Sequence, residues 1–143
     1  MELRTMRIIS VGLTQSLKVY TDTKEQYGDW VVEPDFNIRK DDNNKYIQNI
    51  EILLIRTVGT QHAKIKVLTT FELELGSDDL VPSTERDFIE YAAMQIMAVS
   101  HARAFFIRET IGTKFSGALL PADNFQETVS KLKLAIANIN REN

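Results

Sequence analysis

The sequence predicts an α+β fold: a four-stranded antiparallel sheet, then a long helix, a crossover loop and a short C-terminal helix. Three observations predict it. Up to Leu75 apolar residues recur at about every second position, the period of half-buried strands. Across residues 85–111 there is neither proline nor glycine, and the apolar spacing is helical. Between this helix and the last amphipathic segment lies an apolar run punctuated by Gly112 and Gly117.

Each element has its own signal. In residues 7–19, Arg7, Ile9, Val11, Leu13, Leu17 and Val19 take the odd positions, with Ser10, Gly12, Thr14, Ser16 and Lys18 between them. This reads as a strand with its odd-numbered face turned inward. Residues 21–29 are polar and read as a loop, after which Trp30 to Val32 is apolar and Pro34 suits an edge position. Residues 36–40 and 46–58 flank Asp41-Asp42-Asn43-Asn44, a hairpin connection. The run Ile50, Ile52, Leu53, Leu54 and Ile55 is too continuous for a strand with one wet face, so this strand belongs centrally or against a partner. In residues 62–75, Ala63, Ile65, Val67, Phe71, Leu73 and Leu75 alternate with His62, Lys64, Lys66, Thr70, Glu72 and Glu74.

The helix opens on Thr84 with Asp87 three residues later, a variant of the capping box, and Gly112 suits the residue just past its end. At 1.5 Å per residue it is about 40 Å long. Its apolar residues cover most of its circumference. Phe88, Ala92, Val99, Ala102 and Phe106 form one row; Ile89, Ala93, Ile96 and Ile107 run beside it; Tyr91, Met94, Ala98 and Phe105 widen the band. A helix apolar on so many sides needs contacts on two of them, and one sheet covers only one. A second subunit is expected on the other, with Tyr91, Met94, Ala98, His101 and Phe105 as the interface. Residues 126–139 form a second, shorter amphipathic helix.

Composition bounds the function. The chain of 143 residues, 43% hydrophobic and 26% charged, fits a single domain spanning residues 1–143 with a real core. It has no cysteine, which excludes a disulfide framework or a thiolate metal site. A net charge of −3 disfavours nucleic acid as a main partner. No stretch approaches the roughly 20 apolar residues of a membrane span, and the amino terminus lacks a secretory signal's apolar core. A cytoplasmic protein is expected, without membrane insertion.

Catalytic signals are thin. The two histidines, His62 and His101, lie in no metal-ligand spacing, and no metal or cofactor is expected. Gly112-Thr113-Lys114 follows a helix and lacks the earlier glycine of a phosphate loop. No serine sits in a nucleophile elbow. From Glu72 to Glu90 there are seven acids against one base, Arg86. This reads either as a docking surface for a basic partner or as a solvated strand end with helix-dipole acids, and Lys64 and Lys66 interrupt it.

The wording of the second half carries a resemblance. Ala102-Arg103, then Gly112-Thr113, Phe115, Leu119-Leu120-Pro121 and Asn124-Phe125 resemble the corresponding stretch of the secretion chaperone SecB and its relatives, with one-residue shifts in spacing. The resemblance implies dimers of dimers with the long helices buried between sheets. It implies ATP-independent holding of unfolded or precursor polypeptides in apolar grooves near the crossover, protein transport and translocation through SecA in some members, and protection of antitoxins in others. The groove candidates it suggests are Val67, Phe71, Phe115, Leu119, Leu120 and Phe125, with Trp30 beside them. The chain departs from the family in its unbroken first helix, its missing cysteines and its mild acidity, which weakens the case for SecA. The function expected is therefore an ATP-independent holdase chaperone and not an enzyme. The alternatives are a dedicated or antitoxin-linked adaptor binding one specific peptide partner, and, more distantly, an enzyme or small-ligand binder on an unrelated α+β scaffold.

Overall fold

Alternation in the fourth strand produces the spine of the sheet. The computed structural model describes residues 3–21, 31–41, 45–59, 61–76, 84–117 and 125–142. Its strands are β1 (Leu3–Thr21), β2 (Val31–Lys40), β3 (Tyr46–Val58) and β4 (Gln61–Leu75); its helices are α1 (Glu85–Thr110) and α2 (Phe125–Glu142). Ala63, Ile65, Val67, Thr69, Phe71 and Leu73 of β4 are all buried on one face. The four strands form one antiparallel sheet in the order β1-β4-β3-β2, so the α+β fold expected from the sequence is the one observed.

The order explains the apolar run in β3, which lies between β4 and β2. Ile50, Ile52 and Leu54 point into the core, and Ile55 is buried on the reverse face. Pro34 lies in β2, an edge strand, where a missing N–H is tolerated. The strands β1 and β2, consecutive in sequence, are the two opposite edges, so no hairpin joins them. The apolar Val31 and Val32 are continuous with residues 36–40 in the one strand β2.

The first strand departs from its expected single face. Met6 and Ile8 pair with Leu73 and Phe71 and pack on the core; the register then shifts between Ile8 and Ser10. After the shift Val11 and Leu13, paired with Thr69 and Val67, take the inward positions. Ile9 is left 47% exposed and Arg7 turns outward to Glu72, 2.6 Å away. One inserted residue reverses which parity faces inward, the ordinary effect of a bulge.

The helix α1 starts as its capping signal predicts: the Thr84 hydroxyl accepts the Asp87 N–H at 3.2 Å. It ends at Thr110, and just past its cap Ile111 comes Gly112, whose φ of 79° suits a residue without Cβ. It packs across β1, β4 and β3. Its inward residues, Tyr91, Met94, Ala98, Val99, Ala102 and Phe106, join those of the sheet in one continuous core. The shorter α2 lies along the first turns of α1, where Lys133 pairs with Glu85 and sits over the Phe88 ring. Val129 is buried there. Among the described residues no helix is long and apolar enough to cross a membrane.

Candidate functional site

The crossover begins with a tight double turn that fixes one aromatic. The Thr113 N–H and hydroxyl both donate to the Thr110 carbonyl, at 3.0 and 2.7 Å. The same hydroxyl accepts the Phe115 N–H at 3.2 Å, and the Ser116 N–H reaches the Thr113 carbonyl at 3.0 Å. With Gly112 and Gly117 both at positive φ, the chain reverses twice within six residues. The result drives Phe115 into the core, where it is 1% exposed.

Val67 and Phe71 lie in that same cluster, each fully buried. The structure therefore brings three of the predicted groove residues together, but as interior packing: in this arrangement they offer no surface to a bound chain. Leu119, Leu120 and Trp30 lie outside the described residues, and Phe125 opens α2 without a described side chain.

The predicted interface residues divide in a similar way. Tyr91, Met94 and Ala98 are at most 5% exposed and face the sheet. Burial pushes the Tyr91 phenol up to about 12, with the Asp87 carboxylate adding to the effect. Phe105 packs partly against the core, with the Arg108 guanidinium 4.9 Å from its ring centre, and His101 is half-buried. Among the described residues, the more exposed apolar surface of α1 is the opposite one. Ile89, Ala93, Ile96, Ser100, Ala104, Ile107 and Ile111 follow each other at intervals of three or four residues and share one face. Ile107 and Ile111 are 60% and 71% exposed. The interface expected from the sequence, Tyr91, Met94, Ala98, His101 and Phe105, lies on the sheet-facing side instead, with Tyr91, Met94 and Ala98 buried in the core of the single chain. The outward row also carries the small residues Ala93, Ser100 and Ala104.

A second apolar surface, partly exposed among the described residues, lies at the edge of the sheet. Val32 pairs with Leu54 and Ile38 with Gln48, which puts both on the helix-facing side. The helix α1 packs on β1, β4 and β3, and β2 lies beyond them. Val32 stays 37% exposed, and Ile38 only partly packs on the core. The result is an apolar ledge beside the buried sheet.

Three of the seven acids between Glu72 and Glu90 carry a cation from within the chain. Glu72 receives both Arg7, at 2.6 Å, and Lys45, at 2.7 Å, and these bonds hold its carboxyl below the usual range. Glu74 accepts from the Thr5 hydroxyl, Glu85 pairs with Lys133, and Glu90 pairs with Arg86. Asp78 and Asp79 lie outside the described residues. The paired acids fit a solvated strand end better than an acidic docking surface. Among the described residues no group of three or more His, Cys, Asp or Glu is arranged to hold a metal ion.

No family model matches the chain. No curated protein matches it either. Among solved structures, a SecB-like chaperone of Mycobacterium tuberculosis, determined in complex with a peptide from an antitoxin, is similar to it at 18% identity. The likeness covers 73% of this chain and 80% of that one, with a TM-score of 0.43.

Proposed function

We propose that the chain is an ATP-independent holdase chaperone of the SecB kind, which retains unfolded or precursor polypeptides by burying their apolar side chains. The observation that carries the reading is the ledge on β2, where the helix-facing apolar surface of the sheet runs on past the helix that covers the rest. Burial there stabilises a bound chain by roughly 25 cal/mol per Å², without regard to direction, which suits clients of varied sequence. The order of elements and the motif from Ala102 to Phe125 support the same reading. Leu119, Leu120, Phe125 and Trp30 are its further groove candidates, named from the sequence.

The outward row of α1 is the self-association surface in this reading, which makes the working form a homodimer or homotetramer. The protein works in the cytoplasm, with no cofactor and no bond-making chemistry. Delivery to SecA is a finer step, and the internal pairing of the acids from Glu72 to Glu90 favours a holdase without it. A dedicated adaptor that receives one specific peptide is the second reading, because a ledge of two described side chains, Val32 and Ile38, is small for promiscuous capture.

Dilution of an unrelated slow-folding protein from denaturant, with stoichiometric amounts of this chain and no ATP, decides between them. Suppressed aggregation with delayed refolding is the expected result. Unchanged aggregation beside a folded, oligomeric protein would replace the general holdase with the dedicated adaptor.

A further inference from the structure

On the sheet face turned away from α1, two lysines stand directly opposite each other. Lys18 of β1 pairs with Lys64 of β4, and the next pair on that face is Tyr20 with His62. His62 and Lys64 alternate with the buried Ala63 and Ile65, which fixes the face. The Tyr20 and His62 rings stack at 4.8 Å, 7° from parallel. The Lys18 and Lys64 ammonium groups lie 5.1 and 5.5 Å from the centre of the Tyr20 ring.

This arrangement opposes the ordinary rule for cross-strand pairs, since like charges directly opposite each other destabilise a sheet. The other lysines described on that side of the sheet are neutralised: Lys45 lies 2.7 Å from Glu72 and Lys66 3.5 Å from Glu51. Among the described residues Lys18 and Lys64 have no carboxylate partner, only the aromatic ring they share. The ring face offsets part of the repulsion, because its negative quadrupole attracts both cations. It leaves both ammonium groups with donors to spare.

We propose that this corner receives a carboxylate-rich stretch of a bound polypeptide, with Lys18 and Lys64 taking its acidic side chains over a floor of Tyr20 and His62. The inference rests on the polypeptide-binding reading and gives it a preference: clients with acidic segments flanking their apolar ones. Two lysines on a chain of net charge −3 match the sparse single charges of a short acidic peptide segment better than the dense charge of a polyphosphate.

The test uses the whole chain and two labelled unfolded peptides with the same apolar core, one flanked by glutamates and one by serines. At low salt the acidic-flanked peptide is expected to bind about 3- to 10-fold more tightly, the scale of two exposed charge contacts. In the variant Lys18→Gln/Lys64→Gln that advantage disappears, while affinity for the serine-flanked peptide is unchanged, which also reports that the variant is folded. Equal binding of both peptides to the unsubstituted chain, or an advantage that survives in the variant, overturns the corner and leaves polypeptide binding standing. Failure to bind either peptide overturns both. Displacement of the acidic peptide by a single-stranded oligonucleotide at a lower charge concentration overturns the carboxylate assignment.

Discussion

Gln48 and Thr69 sit diagonally across β3 and β4, beneath α1, both fully buried, and neither side chain has a hydrogen-bond partner among the described residues. A buried polar group without a partner costs about 1–3 kcal/mol. The Gln48 amide leaves both of its polar atoms in that state and Thr69 its hydroxyl. Gln48→Met and Thr69→Val, which keep volume and remove the polar atoms, are expected to raise stability by about 1–2 kcal/mol each. Urea midpoints of the two variants would show it. Lower midpoints would mean that these groups are paired in solution, through an ordered water.

Phe115 is the pin of the crossover, so its removal is a stability change before it is a binding change. Phe115→Ala is expected to cost about 3–5 kcal/mol, the range for a buried phenylalanine. Phe115→Asp would go further, unfolding the bend and weakening the whole chain instead of removing only a binding contact. A midpoint close to that of the unsubstituted protein would return Phe115 to the groove.

On β2, Val32→Asp places a charge on a side chain already 37% exposed. Stability should change by less than about 1 kcal/mol. Capture of an unfolded client should fall severalfold in the aggregation assay. Undiminished capture would remove the ledge from the binding surface.

Self-association is expected to depend on the outward row of α1. Ile107→Glu together with Ile111→Glu should leave the helix content and the fold of one chain intact, since both positions are well exposed. The mass by light scattering should drop to that of one chain. An unchanged mass would move the interface elsewhere, the sheet-facing Tyr91, Met94 and Ala98 being already committed to the core.

Two groups set the pH limits. The Tyr91 phenol is raised from its usual 10.0 to about 12, so the neutral form is favoured in the fold. Its contribution is complete below pH 10 and is lost as pH rises toward 12. Stability should therefore fall less steeply over that window in Tyr91→Phe. Glu72 behaves oppositely: its carboxyl is held below its usual 4.5 by hydrogen bonds from Lys45 and Arg7, while Lys45 is raised above 10.5. The pair's contribution is present between those values and is lost as acid protonates Glu72. Melting temperature against pH for Glu72→Gln should show a flatter acid limb; parallel curves would mean that the pair is silent.

Much of the fold was legible because period is a local property. Ala63 to Leu73 alternate without interruption, and Thr84, Asp87 and Gly112 mark the ends of α1 by chemistry that acts within a few residues. What stayed hidden depends on distant contacts. The bulge between Ile8 and Ser10 leaves composition unchanged and reveals itself only against Phe71 and Thr70. Tyr91 and Ile96 are both apolar helix residues, and only the sheet decides which of them it covers. An aromatic in a glycine-rich bend, such as Phe115, reads equally well as a lid or as an anchor until its burial is seen. The two rings of Tyr20 and His62 are 42 positions apart and meet only through the β1–β4 register.

The irregular edges of the sheet have a consequence for how the chain meets other extended segments. An open strand edge is a template on which any extended segment can nucleate cross-β growth. Here β1 breaks its register at four places along its length, and β2 carries Pro34, which has no N–H to offer. A stranger strand finds neither edge straight and fully furnished with donors. If the chain acts as the proposed holdase, edges built this way let it keep a sticky chain against its apolar ledge without seeding a cross-β aggregate.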